Sequence, residues 1–399
     1  MKPNLRNALY IGTLCAVSYL AVYFARNILS VASNSMVESG FPESYPKLAG
    51  SFFFFFYAIG QLVNGIIGDK IKAKYMLSLG LLFAGITNIA FAFVAVDNQN
   101  LALFIYGLTG FFLAMIYGPM TKVVSENTDP IYTTRCSLGY TFASFFGSPV
   151  AGVLASFLAW QSVFNVGSAV LFVMAICCFT CFTLLERKGI VKYGQFDVKK
   201  NDGKKLSLVE KVRLLTKHQF IKFSLIAIIT GIIRTSVVAL LPLYFAGFLG
   251  YSSEESAYIF SIATLVISTT AFISVFVYER LGHNMDKTIL VMFSLATVFF
   301  ACTYFVKHPI VNIIFITLSI MASNASATML WSKYCPSLRD TGMVSSATGF
   351  LDFLSYMAAA ASNAFSSFIS WNVLIVIWFA LMVFGVVISL PFNKLKKNA

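Results

Sequence analysis

The chain has 399 residues, 58% of them hydrophobic and only 11% charged, with a mean hydropathy of +0.80. A soluble domain of this length needs far more polar surface, so a water-soluble globular protein is excluded. The formal net charge of +13 raises nucleic acid as a partner, but the basic residues are dispersed in short segments between apolar runs, which excludes a nucleic-acid-binding face.

Twelve apolar segments follow one another, at 8–37, 46–68, 74–96, 99–121, 134–158, 161–185, 220–248, 255–278, 286–306, 309–332, 342–368 and 371–392. Each is long enough to cross a bilayer as a helix, which predicts an all-α integral membrane protein in contact with lipid. The first segment follows Lys2 and Arg6 as a secretory signal would. It runs to Glu38 without a small-residue cleavage site, so it reads as a span that is kept. With the first span starting inside, one face collects Lys2, Arg6, Lys70, Lys72, Lys74, Lys122, Arg135, Arg280, Lys287, Lys333, Arg339, Lys394, Lys396 and Lys397, whereas the other holds only Lys47 and Lys307. That asymmetry predicts cytoplasmic termini.

Residues 186–219 form the widest polar segment, with Lys199, Lys200, Lys204 and Lys205 around Asn201, Asp202 and Gly203. They divide the chain into an N-terminal bundle, 1–185, and a C-terminal bundle, 220–399, of six spans each. Within the linker, 206–215 is either plain solvated chain or a short amphipathic helix against anionic lipid.

Two charges break the apolar pattern. Between Arg6 and Glu38 the sole charge is Arg26, and between Lys222 and Glu254 it is Arg234, 208 residues further on. An arginine at membrane depth costs at least ~2.5–3.5 kcal/mol on insertion scales, so it faces a partner or a watery path and marks a route for an ion or substrate. The landmarks around the two arginines repeat. Asp69 follows Arg26 by 43 residues and Glu279 follows Arg234 by 45; Lys122 and Lys333 follow by 96 and 99. Such spacing predicts two bundles related by pseudo-twofold symmetry, with a binding site near the midplane between them.

The loop Gly65-x-x-x-Asp69-Lys70-x-x-x-Lys74 resembles the signature of the major facilitator superfamily, and Glu279-Arg280 resembles its degraded copy. A narrower resemblance is carried by Tyr19-x-x-x-Tyr23-x-x-Arg26-Asn27, Glu38-Ser-Gly-Phe41, Tyr57-Ala-Ile-Gly-Gln61, Met115-x-x-Gly118-Pro119-x-x-Lys122, Arg234 and Thr348-Gly349-Phe350-x-x-x-x-x-Tyr356. These are similar to the organophosphate and inorganic phosphate antiporters, the bacterial glycerol-phosphate and hexose-phosphate carriers. The resemblance implies that Arg26 and Arg234 clasp a phosphate and that Tyr19, Tyr23, Tyr57 and Tyr356 line its cavity. It also implies that Asp69, Lys70, Glu279, Arg280 and Lys122 belong to coupling or gating.

The departures from that pattern bear on the ligand. Gln61 stands where those carriers have a lysine, Ser144 where they have a histidine, and Asp352 where they have a small residue. Asp352 is the one acid expected near mid-membrane, and it can pair with an arginine or carry a proton. Asn324, in a polar cluster with Ser323, Ser326 and Thr328, is a further candidate for the cavity, although bonding between helices explains that cluster nearly as well. The Phe52–Phe56 run reads as packing.

The seven cysteines fall in or beside spans, and Cys178-x-x-Cys181 has no further ligands nearby, so they read as small apolar packing groups with no metal site. There is no phosphate-binding glycine loop and no nucleophile paired with a base, so neither an enzyme nor a cofactor is expected. The sequence therefore predicts a monomeric secondary transporter that moves a small organic anion, best a phosphorylated metabolite, by exchange or proton coupling. A membrane sensor of such an anion is the alternative.

Overall fold

The computed structural model describes residues 3–68, 71–129, 146–193, 219–335 and 344–390, with single positions between 132 and 143. Asp69, Lys70 and Ser144 lie outside the described residues, as does most of the expected linker. The described residues form helices α1 (Pro3–Glu38), α2 (Ser44–Gly68), α3 (Ala73–Asp97), α4 (Gln99–Leu113), α5 (Tyr117–Asn127), α6 (Gly147–Ala155) and α7 (Trp160–Arg187). There follow α8 (Phe220–Gly231), α9 (Val238–Gly247), α10 (Ser253–Ser268), α11 (Thr270–Arg280), α12 (Met285–Phe305), α13 (Pro309–Met329), α14 (Val344–Ser366) and α15 (Trp371–Ser389). Two π-helical stretches, Ile232–Val237 and Leu330–Tyr334, link α8 to α9 and extend α13.

Ten helices among the described residues are long and apolar enough to cross a membrane. The expected fifth and eleventh segments correspond to α6 with the partly described positions before it, and to α14. Several spans are broken where proline removes a donor. Pro119 cannot give an N–H to residue 115, and the helix is interrupted between Leu113 and Tyr117. Pro242 likewise cannot bond the Val238 carbonyl, and the π-helical stretch ends at Val237, immediately before that carbonyl.

By packing, the chain forms two compact units, Met1–Lys204 with Tyr251–Leu265 and Lys205–Gly250 with Val266–Ala399. The first half of α10 therefore belongs with the first unit. There Ser253 Oγ donates to Glu38 Oε1 at 2.6 Å, and Ser261 lies where a Cβ on Gly152 would sit.

In the first unit α3 packs on α4 and α7, α2 on α4, and α1 on α6 and α7. Polar side chains tie these helices from within, as expected where lipid supplies no hydrophobic drive between them. Asn88 Nδ2 donates to the Phe164 carbonyl at 3.1 Å and to Ser168 Oγ at 3.0 Å, and Asn64 Nδ2 donates to the Phe111 carbonyl at 3.1 Å. At one end Glu186 accepts from Lys72 at 2.7 Å and from the buried Lys74 at 2.5 Å, which pins α7 to the start of α3.

The second unit packs α12 on α13 and α15, α8 on α14, and α11 on α13. The last turn of α12 leaves carbonyls without helical partners. Asn312 Nδ2 takes up Thr303 O at 2.8 Å and Val306 O at 2.9 Å, while its Oδ1 accepts from Tyr244 Oη at 2.5 Å. Large apolar side chains such as Phe305, 77% exposed, and Phe368, 81% exposed, point outward near helix ends, where aromatic belts meet the membrane surface.

Helix contact in the first unit is close enough at Gly110 that a Cβ would collide with the Phe53 carbonyl oxygen. Gly110→Val is therefore expected to force α2 and α4 apart, at about 1–3 kcal/mol for overpacking. The check is the thermal midpoint of the detergent-solubilised protein, which should fall.

Candidate functional site

Arg26 sits in the middle of the 36-residue α1 and is half-buried. Its Cζ lies 5.4 Å from the Tyr23 ring, 5.6 Å from Phe54 and 5.4 Å from Tyr57. Tyr23 precedes Arg26 by three residues, almost one turn, and so shares its face of α1; Phe54 and Tyr57 share a face of α2 in the same way. The π faces of the three rings attract the cation and hold it in place without adding a negative charge.

The cage continues into a tyrosine cluster. Tyr19 lies with its ring 5.0 Å from Tyr23, 5.6 Å from Tyr117 and 5.8 Å from Tyr140. Tyr19, Tyr57 and Tyr140 are buried, and Tyr23 is half-buried. Of the residues singled out from sequence, the structure thus brings Arg26, Tyr19, Tyr23 and Tyr57 together, with Gln61 one turn beyond Tyr57 on α2 and half-buried. Lys122 is half-buried on α5, one turn from Gly118.

Phe54, Tyr117 and Tyr140 belong to this cluster and were not singled out. Phe54 is hidden in the sequence by a run of five phenylalanines, of which Phe52 and Phe55 are exposed and Phe53 and Phe54 buried. Helical spacing from Tyr57 is the signal that separates it, since only Phe53 and Phe54 stand three or four residues before that ring.

In the second unit Arg234 lies within the first π-helical stretch and is half-buried. Its Cζ is 5.7 Å from the Trp331 ring, which is carried by the second π-helical stretch. Both irregular stretches therefore meet at this arginine. The second one distributes its side chains to three neighbours. Trp331 faces Arg234, the Lys333 ammonium lies 4.9 Å from the Tyr278 ring, and Tyr334 stacks on Phe223 at 3.6 Å. π-helical turns occur often at functional sites, and their position cannot be read from apolar periodicity, so the sequence pattern does not pair Trp331 with Arg234.

Tyr356 is buried and Asp352 half-buried, one turn apart on one face of α14. Two contacts fix the register of α14 on α8. Gly231 meets Ser355, and Ser236 Oγ donates to Asn363 Oδ1 and lies 2.9 Å from Ser362 Oγ, within hydrogen-bond distance. Both pairs advance in the same direction, so these helices run parallel. Asp352 precedes Ser355 by three residues and Arg234 follows Gly231 by three, which offsets their backbones by about 9 Å along the axis. Tyr356 lies between the two levels.

Asn324 is half-buried on α13, and its Oδ1 is buried without a hydrogen-bond partner. Glu279 and Arg280 are exposed at the end of α11, where the Arg280 guanidinium lies 5.1 Å from the Phe276 ring. They sit at a helix end.

The sequence profile of the Major Facilitator Superfamily matches residues 15–362, and the chain belongs to that superfamily. A probable hexose phosphate transport protein of Chlamydia pneumoniae is 27% identical over 113 residues, 28% of this chain and 24% of that protein. That match spans only about a quarter of the relative's length. The glycerol-3-phosphate transporter of Bacillus subtilis is 22% identical over 404 residues, covering 92% of this chain and 88% of that one. Among solved structures, an inward-facing, unoccupied bacterial homologue of the human lysosomal transporter Spinster superposes with a TM-score of 0.76 at 13% identity, over 98% of this chain and 97% of that one. The likeness establishes the all-α membrane fold.

The Trp331 face is worth ~0.5–2 kcal/mol to a guanidinium. Trp331→Leu is expected to cost about that much stability, read as a lower thermal midpoint of the detergent-solubilised protein, with Trp331→Phe retaining most of it.

Proposed function

We propose that this chain is a secondary active transporter that moves a small organic anion, a phosphorylated metabolite, across the membrane by alternating access. The observation that carries this reading is Arg26, the only charge in its span, held among Tyr23, Phe54 and Tyr57. Arg234 is its counterpart in the second half of the sequence. A guanidinium binds a phosphate or carboxylate through two parallel charge-assisted hydrogen bonds, a geometry that lysine does not offer. Relatives named as hexose phosphate and glycerol-3-phosphate transporters support a phosphate ester as the anion.

In this proposal the bundles 1–185 and 220–399, joined by 186–219, each contribute one arginine to a common cavity. Tyr19, Tyr23, Tyr57, Tyr356, Gln61, Ser144 and Asn324 surround the anion. The loops with Asp69 and Lys70 and with Glu279 and Arg280 hold one access state through charge contacts at helix ends, and Lys122 belongs with them. The protein is a monomer in a bacterial cytoplasmic membrane with both termini inside. Transport runs by exchange or with a proton on Asp352.

Arg26→Lys and Arg234→Lys should each impair phosphate-ester uptake by proteoliposomes more than tenfold although the charge is kept. Wild-type protein that binds ester but turns none over would replace the transporter with a sensor. Unchanged uptake in both variants would rule out the arginine clasp.

Asp352 decides the coupling. If it carries the proton, Asp352→Asn abolishes uptake driven by a pH gradient and spares exchange of labelled for unlabelled ester. If it is a structural partner, the same change lowers the yield of folded protein, since breaking a buried pair costs roughly 3–5 kcal/mol. Normal folding with normal gradient-driven uptake excludes both roles.

A further inference from the structure

We propose that the corner of the first unit where α7 ends and α3 begins binds the headgroup of an anionic phospholipid. Glu186, in the last turn of α7, gives one carboxylate oxygen to Lys72 and the other to Lys74, so its charge is already used. Arg187, Lys188 and Lys192 come after it, are exposed, and have no acid partner among the described residues. Asp69 and Lys70, just before this corner in sequence, add no net charge. The turn between α11 and α12 in the second unit is better balanced. There Asp286 pairs with Lys222 at 2.9 Å, and Glu279 adjoins Arg280. Positive charge that serves only to orient a chain in the membrane needs no such difference between the halves.

The three cations are carried by a fixed turn. Gly189 takes a φ of +68°, and the Ile190 and Val191 N–H groups both return to the Leu185 carbonyl, at 2.9 and 3.2 Å. Val191 is buried. The Lys192 N–H donates to Asn127 Oδ1 at 2.6 Å, and Asn127 Nδ2 donates to the Val123 carbonyl at 3.0 Å, so the amide is held at both ends. The Tyr193 ring then lies 5.6 Å from the Lys72 ammonium. Residues 188–193 thus fold back over the ends of α5 and α3, with Lys188 and Lys192 on either side of the turn. A loose basic segment would have to be ordered when a ligand binds, and this one is ordered beforehand.

Apolar side chains suited to acyl chains adjoin these cations. Tyr75 is exposed on α3, with its ring 5.1 Å from the Lys74 ammonium and 6.1 Å from the Phe179 ring. Phe179 and Leu184 are exposed on α7. An exposed tyrosine between cations and apolar groups marks the level of the headgroups. A lipid with its chains along Phe179 and Leu184 would bring its phosphate to Arg187, Lys188 and Lys192, in the inner leaflet for the orientation proposed above. A zwitterionic headgroup carries its own cation, which these three repel, so charge complementarity selects an acidic lipid.

The test titrates the purified full chain in neutral detergent with dioleoyl phosphatidylglycerol or dioleoyl phosphatidylcholine and reads bound lipid by native mass spectrometry. Wild-type protein should bind its first phosphatidylglycerol about tenfold or more tightly than phosphatidylcholine, since each basic residue at an acidic surface contributes roughly a fivefold factor. The triple variant Arg187→Gln, Lys188→Gln, Lys192→Gln should bind the two lipids alike, with an unchanged lipid-free thermal midpoint because all three side chains are exposed. A control, Lys199→Gln, Lys200→Gln, Lys204→Gln, Lys205→Gln, removes more charge from the linker and should keep the preference. Asn127→Ala frees the Lys192 N–H while every charge stays, so it should weaken the preference and probes the turn whether or not the triple variant folds. A preference that survives the triple variant, that the linker control abolishes, or that Asn127→Ala leaves whole overturns the proposal. So does displacement of the lipid by an equal concentration of inorganic phosphate, which assigns the corner to a free anion. Equal binding of both lipids by wild-type protein overturns it too.

Discussion

Taking a guanidinium out of water to the depth of a bilayer costs at least ~2.5–3.5 kcal/mol on insertion scales, and the surrounding helices have to return most of it. Around Arg26 three aromatic faces lie between 5.4 and 5.6 Å, and at ~0.5–1 kcal/mol per face their sum is comparable with the insertion cost. At Arg234 the Trp331 ring lies at 5.7 Å. In the proposed cycle an anion arriving at either arginine would meet a charge beside rings on α1 and α2, or beside a ring on the extension of α13.

That positioning requires irregular backbone. A π-helical turn inserts a residue and rotates the following side chains relative to the regular helix. In the second unit the insertions occur at Ile232–Val237 and Leu330–Tyr334, and Arg234 and Trp331 lie within them. Pro242 accounts for the first, since the missing N–H loosens the helix one turn earlier. The second stretch is followed by Pro336, which has no N–H to offer the Ser332 carbonyl, and the stacking of Tyr334 on Phe223 and of Lys333 on Tyr278 provides tertiary contacts that favour it. The first unit reaches its arginine with an unbroken helix, so the two halves, alike in the spacing of their charges, differ in how the charge is held.

Much of this was legible in the sequence because a membrane simplifies the code. Lone charges in apolar stretches identify Arg26 and Arg234, segment length identifies the helices, and the spacing of Tyr19, Tyr23 and Arg26 puts a tyrosine one turn from the arginine. What stayed hidden depends on three-dimensional context. Phe54 was masked by neighbours of the same type, and Trp331 by a change of helical period. The attachment of the first half of α10 to the first unit follows from packing at Gly152 and from the Ser253 bond to Glu38, neither of which has a local signature. Pro119 and Pro242 were visible, but apolar length alone gave continuous spans where the structure has a break and a widened turn.

The register of α14 on α8 bears on how an acid and an arginine would cooperate in the proposed cycle. Gly231 opposite Ser355 and Ser236 bonded to Ser362 place the Asp352 backbone about 9 Å along the axis from that of Arg234. Tyr356 lies between the two levels on the same helix. Two unit charges about 9 Å apart at an effective dielectric of about 20 interact by ~2 kcal/mol, and side chains that reach toward each other couple more strongly. Neutralising Asp352 would therefore strengthen anion binding at Arg234, and by reciprocity a bound anion would favour the neutral carboxyl by the same factor.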